Sequence, residues 1–244
     1  ASNCAACTAI AVIYNADGTF KEYFYPKCPS YHTFINTRII ADSPDSLLWA
    51  GIGDALSKEY EVLFATRAEE LFHTTLLGAQ LSKACTAPLI DFGAKALEDC
   101  KANKASYELE QVALDIIIST GIVSNLTSGG EKYYYNSSLG HAFYYGSTVI
   151  PKAEKHLHGE VVSFGVLCLL TYDNQLEERE RIMKFHKTIG LPTCLADMEI
   201  TEEDIPAIVE KASTVREWTC VPYATDKDKF AKAILETDKV GKTF

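Results

Sequence analysis

The sequence predicts a mainly α protein: an all-helical body over residues 43–244, preceded over residues 1–42 by a few strands left from an α/β domain. Three observations carry this prediction. β-branched and aromatic runs separated by a turn signal are confined to the beginning of the chain. Long stretches of helix formers, with apolar residues three and four apart, fill the rest. Proline and glycine stand at the joints between those stretches.

Taken in order, Thr8 to Tyr14 (T-A-I-A-V-I-Y) is a strand, Asn15-Ala16-Asp17-Gly18 a turn, and Phe20 to Tyr25 the returning strand of a hairpin. His32 to Ile35 is a third short strand. So little sheet does not make a domain, which suggests that a larger α/β domain has lost its front. Pro44 suits the first turn of a helix, and four helical stretches follow: Ser46–Ala65, Ala68–Cys85, Pro88–Asn103 and Tyr107–Ser124. Gly129-Gly130 and Pro151 interrupt the pattern, and Val161–Leu170 is apolar on every side, the mark of a buried helix. Asn174-Gln175-Leu176-Glu177 resembles a capping box ahead of a helix that buries Ile182, Met183, His186 and Ile189 and ends at Gly190 and Pro192. Thr201-Glu202-Glu203-Asp204 opens a helix with Ile205, Ile208, Val209 and Ala212 facing inward, and Thr225 opens the last, with Phe230 and Ile234 inward.

Composition narrows the function classes. The 244 residues are 47% apolar and 23% charged, ordinary for a globular protein. A net charge of −10 with scattered Lys and Arg argues against nucleic acid as a partner. No uninterrupted apolar run is long enough to be read as a membrane span, and Ala1-Ser2-Asn3-Cys4 lacks the basic and apolar regions of a signal peptide. The expected location is therefore cytoplasmic, with the eight cysteines as free thiols, Cys85 and Cys168 as core residues of helices, and the Asn125 and Asn136 glycosylation triplets unused. Cys4-Ala5-Ala6-Cys7 has redox or zinc spacing, but no second pair completes a four-thiolate site and no βαβ pattern surrounds it.

Three patterns can carry chemistry. In Gly51-Ile52-Gly53-Asp54-Ala55-Leu56 the glycines allow close backbone approach beside an Asp, which could equally be a helix-terminal carboxylate. In Gly140-His141-Ala142-Phe143-Tyr144-Tyr145-Gly146 the His is a metal ligand or a hydrogen-bonded core residue. In His156-Leu157-His158-Gly159-Glu160 a His stands at the mouth of the buried helix, as a ligand or as a polar helix start. One carboxylate and two imidazoles are a common set for Zn²⁺ or Fe²⁺, and three protein ligands leave a position open for catalysis.

These motifs, with Leu157-His158-Gly159-Glu160-Val161-Val162 and Gly190-Leu191-Pro192-Thr193, are similar in order and spacing to the glycerol dehydrogenase branch of the iron-containing alcohol dehydrogenase superfamily. The resemblance implies that Asp54, His141 and His158 are metal ligands and act in catalysis through the metal. It implies that residues 1–42 end a dinucleotide-binding domain, with Thr8, Ile10 and Tyr14 lining the NAD(P) site, and that the full-length protein is a homo-oligomer. A small-molecule alcohol, polyol or hydroxy acid is then the partner, and nicotinamide the hydride acceptor. Lys58 stands where the four-ligand iron branch has a further His, which argues for a zinc-like site. Tyr144 and Tyr145 alter the family's His-Ala-x-His-Asn-Gly wall. At Cys4 the glycerol dehydrogenases have an Asp that contacts a substrate hydroxyl. Asn3-Cys4-Ala5-Ala6 instead resembles the hydroxycarboxylate dehydrogenase subgroup, which keeps 2-oxo and 2-hydroxy acids open as substrates. His156 is a further proton-relay candidate, expected to be exposed. The remaining alternative is a non-catalytic helical metal-binding module.

Overall fold

The computed structural model describes residues 3–16, 20–67, 69–129 and 132–244. The expected hairpin is present. Strand β1 (Ala11–Tyr14) pairs antiparallel with β2 (Phe20–Phe24), Ala11 opposite Phe24 and Tyr14 opposite Phe20, with an irregularity between Ile13 and Tyr14. Asp17 and Gly18 of the predicted turn, like Ala68 and Gly130, lie outside the described residues.

His32 to Ile35 is not a strand. Thr33 bonds back to the N-terminal segment, its hydroxyl donating to the Ala6 carbonyl oxygen (3.1 Å) and accepting from Cys7 Sγ (3.4 Å), and Phe34 is 92% exposed. The first helix also starts before residue 43. Asn36 accepts the Arg38 and Ile39 amides (3.0 and 3.4 Å) and caps α1 (Thr37–Ala41).

The body continues as α2 (Asp45–Ala55), α3 (Ser57–Thr66), α4 (His73–Ser82), α5 (Ala87–Lys101), α6 (Tyr107–Leu114) and α7 (Thr120–Thr127). After a loop come α8 (Leu139–Ser147), α9 (His158–Tyr172), α10 (Leu176–Ile189), α11 (Ile205–Ala212), α12 (Arg216–Thr219) and α13 (Lys227–Gly241). The predicted Ser46–Ala65 stretch divides at Leu56, which keeps helical dihedrals, so α3 carries on the path of α2. The Ala68–Cys85 stretch is shorter than expected because Arg67 turns extended. Its guanidinium pairs with Asp173 (2.5 Å) and lies 4.1 Å over the Phe64 ring. Cys85 is buried as expected, but in the turn before α5 rather than in a helix; Cys168 is buried within α9.

Two predicted caps are replaced. Asn174 takes a left-handed conformation (φ 59°) that closes α9, with the Gln175 amide bonded to the Leu170 carbonyl, so it is not free to cap α10. Asp226 rather than Thr225 caps α13, accepting the Lys229 amide at 2.7 Å. Gly190 closes α10 in the left-handed conformation (φ 77°), and Thr201 with Asp204 forms the predicted cap.

Helix α9 is the axis of the body and is buried along nearly its whole length. Its neighbours are drawn in by glycines. A methyl group on Gly159 would overlap the Ala50 carbonyl oxygen, and one on Gly165 the Gly140 carbonyl oxygen. The backbones of α2 and α8 therefore cross α9 in direct contact, which only glycine permits. Phe143, Phe164, Ile52, Leu56 and Leu167 fill the core around these crossings. Helices α6 and α7 run on through one π-helical stretch, Asp115–Ser119. By length and composition, Tyr107–Thr127 could cross a bilayer, but 56% of its apolar window is buried against the rest of the body.

Candidate metal centre

Asp54 lies in the last turn of α2, His141 in the first turn of α8, and His158 is the first residue of α9. The two glycine crossings bring these helix ends together. Asp54 Oδ1 is 3.2 Å from His158 Nε2 and 3.5 Å from His141 Nε2, and one donor atom of each residue lies within 4.8 Å of the others. Among the described residues this is the only such cluster of His, Cys, Asp and Glu; Cys4 and Cys7 form none. The Asp54 and His141 side chains are 19% and 14% exposed, while His158 is 41% exposed.

Sequence reading missed Glu61, which lies seven residues beyond Asp54, two turns on along one face. Its side chain is wholly buried. Oε2 lies 2.5 Å from His141 Nδ1, and Oε1 accepts the amides of Ser138 and His141, both at 2.8 Å. An ionised Glu61 can only accept, so Nδ1 donates to it, and Nε2 is the ring atom left facing Asp54. Burial opposes ionisation of Asp54, but the imidazoles of His158 and His141 overcome it and hold the carboxyl well below the usual range. Burial likewise opposes protonation of His141, and Glu61 first, then Asp54, raise it well above its ordinary value. Two buried carboxylates around two imidazoles thus call for positive charge. With one oxygen and two nitrogen donors, the set fits a divalent ion such as Zn²⁺.

Glu160 holds the start of α9 in place, accepting the Leu157 amide (3.0 Å) and bonding to His156 Nδ1 (2.8 Å). His156 is therefore half-buried and turned toward Glu160 and Glu199, not exposed as expected. The Tyr144 ring packs edge-on to His158 at 4.2 Å between centroids.

A cleft of about 120 Å³ opens beside the cluster, lined by Cys4, Asp54, Lys58, Ile116, Thr120, Ser124, Asn136 and His141 among others. Its floor includes the π-helical stretch, a feature that recurs at functional sites. Cys4 reaches the cleft because Asn125 clamps the N-terminal segment, donating to the Cys7 carbonyl oxygen (2.7 Å) and accepting the Ala9 amide (3.1 Å). No sequence signal marked Asn125 beyond its glycosylation triplet. Thr8 and Ile10 stand just beyond, the Thr8 hydroxyl bonded to the Ile10 carbonyl oxygen (3.0 Å), and neither is among the residues lining the cleft. Tyr14 lies in β1.

No protein-family profile matches the chain. It is 33% identical over 258 residues to the glycerol dehydrogenase of Escherichia coli, an alignment that covers 100% of this chain and 67% of that protein. The crystal structure of a probable glycerol dehydrogenase from Sinorhizobium meliloti superposes with a TM-score of 0.84 at 26% identity, over 100% of this chain and 69% of that one. The iron-containing alcohol dehydrogenase of Thermotoga maritima shares the fold, with a TM-score of 0.63 at 18% identity over 95% of this chain and 60% of that one. The sequence relatives show that the chain belongs to the glycerol dehydrogenases, and its fold is the one seen in iron-containing alcohol dehydrogenase structures.

Proposed function

We propose that the full-length protein is a metal-dependent, NAD(P)-linked oxidoreductase of small alcohols and their carbonyl partners, with its metal held by Asp54, His141 and His158. The observation that carries this reading is the convergence of these three side chains, with Asp54 and His141 lining a cleft and Glu61 behind His141. Zinc suits the three-ligand set better than iron, because Lys58, where a fourth ligand would stand, spends its ammonium on Asn136. When bound, the ion supplies Lewis acidity at the substrate oxygen and the nicotinamide accepts or returns hydride.

The chain's own residues do the positioning. Asp54 and the two Nε2 atoms offer the donors. Glu61 fixes the His141 tautomer, and the narrow cleft limits water around the reacting carbon. Residues 1–42 form the end of a dinucleotide-binding domain and 43–244 the metal-binding domain, with Thr8, Ile10 and Tyr14 on the nicotinamide side. The Asn125 clamp that seats the N-terminal segment on α7 supports this division. A cytoplasmic site of action accords with the eight free thiols.

The test is NAD(P)H formation by full-length protein with 1,2-propanediol, before and after chelation of metal. Turnover that is lost on chelation, regained with Zn²⁺ and absent in His158→Ala supports the reading. Undiminished turnover without metal, or in His158→Ala, overturns it.

A further inference from the structure

Lys58 stands one turn beyond Asp54 and lines the same cleft, yet it is only 6% exposed. Its ammonium donates to the Asn136 main-chain carbonyl oxygen (3.1 Å) and to Asn136 Oδ1 (2.7 Å). The orientation of that amide is fixed from the other side, since Nδ2 donates to the Tyr134 hydroxyl (3.1 Å) and Oδ1 also accepts from Thr127 Oγ1 (3.3 Å). An ammonium has three donors, and two are used, both on neutral acceptors. Among the described residues no carboxylate forms an ion pair with Lys58. Asp54 is the one carboxylate lining the cleft, and it is engaged by the two imidazoles. Cys4, Thr120, Ser124 and Ile116 add no charge. A buried ammonium bonded only to neutral acceptors is costly to the folded protein, and a ligand that brings a carboxylate to its free donor lowers that cost.

We propose that Lys58, oriented by Asn136, binds the carboxylate of the substrate, so that the enzyme acts on 2-hydroxy acids and their 2-oxo partners in preference to uncharged diols. The inference rests on the metal-centre reading above for the position of the reacting hydroxyl. Residues four apart on a helical path have side chains roughly 5–6 Å apart at their bases. A molecule with hydroxyl and carboxylate on adjacent carbons spans such a gap, its hydroxyl beside Asp54 and its carboxylate at Lys58. Cys4 suits the same class of ligand, because a thiol neither repels a carboxylate nor rewards an extra hydroxyl as an Asp would. The reaction balances: the carbinol C–H bond breaks, its electron pair and hydrogen pass as hydride to NAD(P)⁺, and the hydroxyl proton leaves for solvent. The products are the 2-oxo acid and NAD(P)H.

Lactate and 1,2-propanediol differ only in a carboxylate against a hydroxymethyl group, and so isolate the charge. With full-length, zinc-loaded protein, the wild type is expected to favour lactate in kcat/KM. Lys58→Met should lower that value for lactate by about ten- to a hundredfold, the loss expected for a hydrogen bond to a charged group. The loss should fall mainly on KM, and the diol should change much less. Lactate binding measured by calorimetry, without turnover, should weaken in the same proportion, and Lys58→Gln gives an independent variant should the Met protein not fold. A wild type that favours the diol overturns the proposal, as do substitutions that lower both substrates alike, the mark of a merely structural lysine. If neither compound is oxidised but lactate binding depends on Lys58, the dehydrogenase reading fails and the carboxylate site stands. If the diol is oxidised and lactate binding ignores Lys58, the reverse holds.

Discussion

Substituting Gly159 with Ala adds one methyl group at the crossing of α2 and α9. That methyl would overlap the Ala50 carbonyl oxygen and lie 2.8 Å from the Ala50 carbonyl carbon and 2.9 Å from the Asp54 amide nitrogen. All three are main-chain atoms and cannot rotate away, so the helices must separate. Overpacking of this kind costs about 1–3 kcal/mol, against a gain of about 1 kcal/mol from replacing glycine within a helix. For a chain of this size each kcal/mol moves Tm by about 2–4 °C, so the net loss of up to about 2 kcal/mol should lower the melting point by up to roughly 8 °C. The metal should be lost before the fold, because Asp54 and His158 sit on opposite sides of the crossing and ligand distances tolerate only about 0.2 Å. The assay is paired thermal denaturation and zinc content of the full-length variant, with Gly129→Ala, whose added methyl meets nothing within 4 Å, as comparison. A Gly159→Ala protein with wild-type Tm and one zinc per chain would refute the view that backbone contact at this glycine sets the site geometry.

Three further outcomes are expected. Glu61→Gln should weaken zinc binding about ten- to a hundredfold in a chelator competition, because an amide nitrogen can donate to His141 Nδ1 and drive the proton onto Nε2. His186 is wholly buried and burial lowers it from 6.5 to about 4, so the unfolded chain takes up its proton first. Stability from this group is complete above about pH 6.5 and falls as pH drops toward 4, by about 3 kcal/mol in all, which melting curves of wild type and His186→Gln across that range would reveal. Asp115, in the π-helical stretch, runs the other way. Burial pushes its carboxyl from 3.8 up to about 7, offset only in part by the Ser119 hydroxyl, so its stability contribution is intact below 3.8 and lost as pH rises to 7. Asp115→Asn should therefore raise Tm at pH 8, by up to about 4 kcal/mol of stability, and change it little near pH 4.

Much of this was legible in the sequence, for identifiable reasons. Helices α5, α10, α11 and α13 show regular apolar spacing, and Pro88 and Gly190 mark two of their ends as expected. Asp54, His141 and His158 stood out because each is set in glycine, and those glycines prove to be helix crossings. What escaped depends on contacts distant in the chain. Glu61 reads as one more helix-face carboxylate until α8 presents its N-terminal amides to it. Lys58 is an ordinary surface residue by type, yet it is buried and bonded to Asn136, 78 residues on. Asn174 satisfied a local cap pattern but serves the preceding helix, because one polar residue between two helices can close either.

The central claim is that Asp54, His141 and His158 hold one catalytic divalent ion. Anomalous diffraction from crystals of the full-length, zinc-loaded protein, recorded on both sides of the zinc edge, tests it most directly. The account predicts one zinc per chain, about 2.0–2.1 Å from Nε2 of each His and about 2.0–2.2 Å from an Asp54 oxygen, with an open position toward the Lys58 cleft. Zinc bound instead at Cys4 and Cys7, or a cluster that stays empty at saturating zinc while the protein turns over, would contradict it.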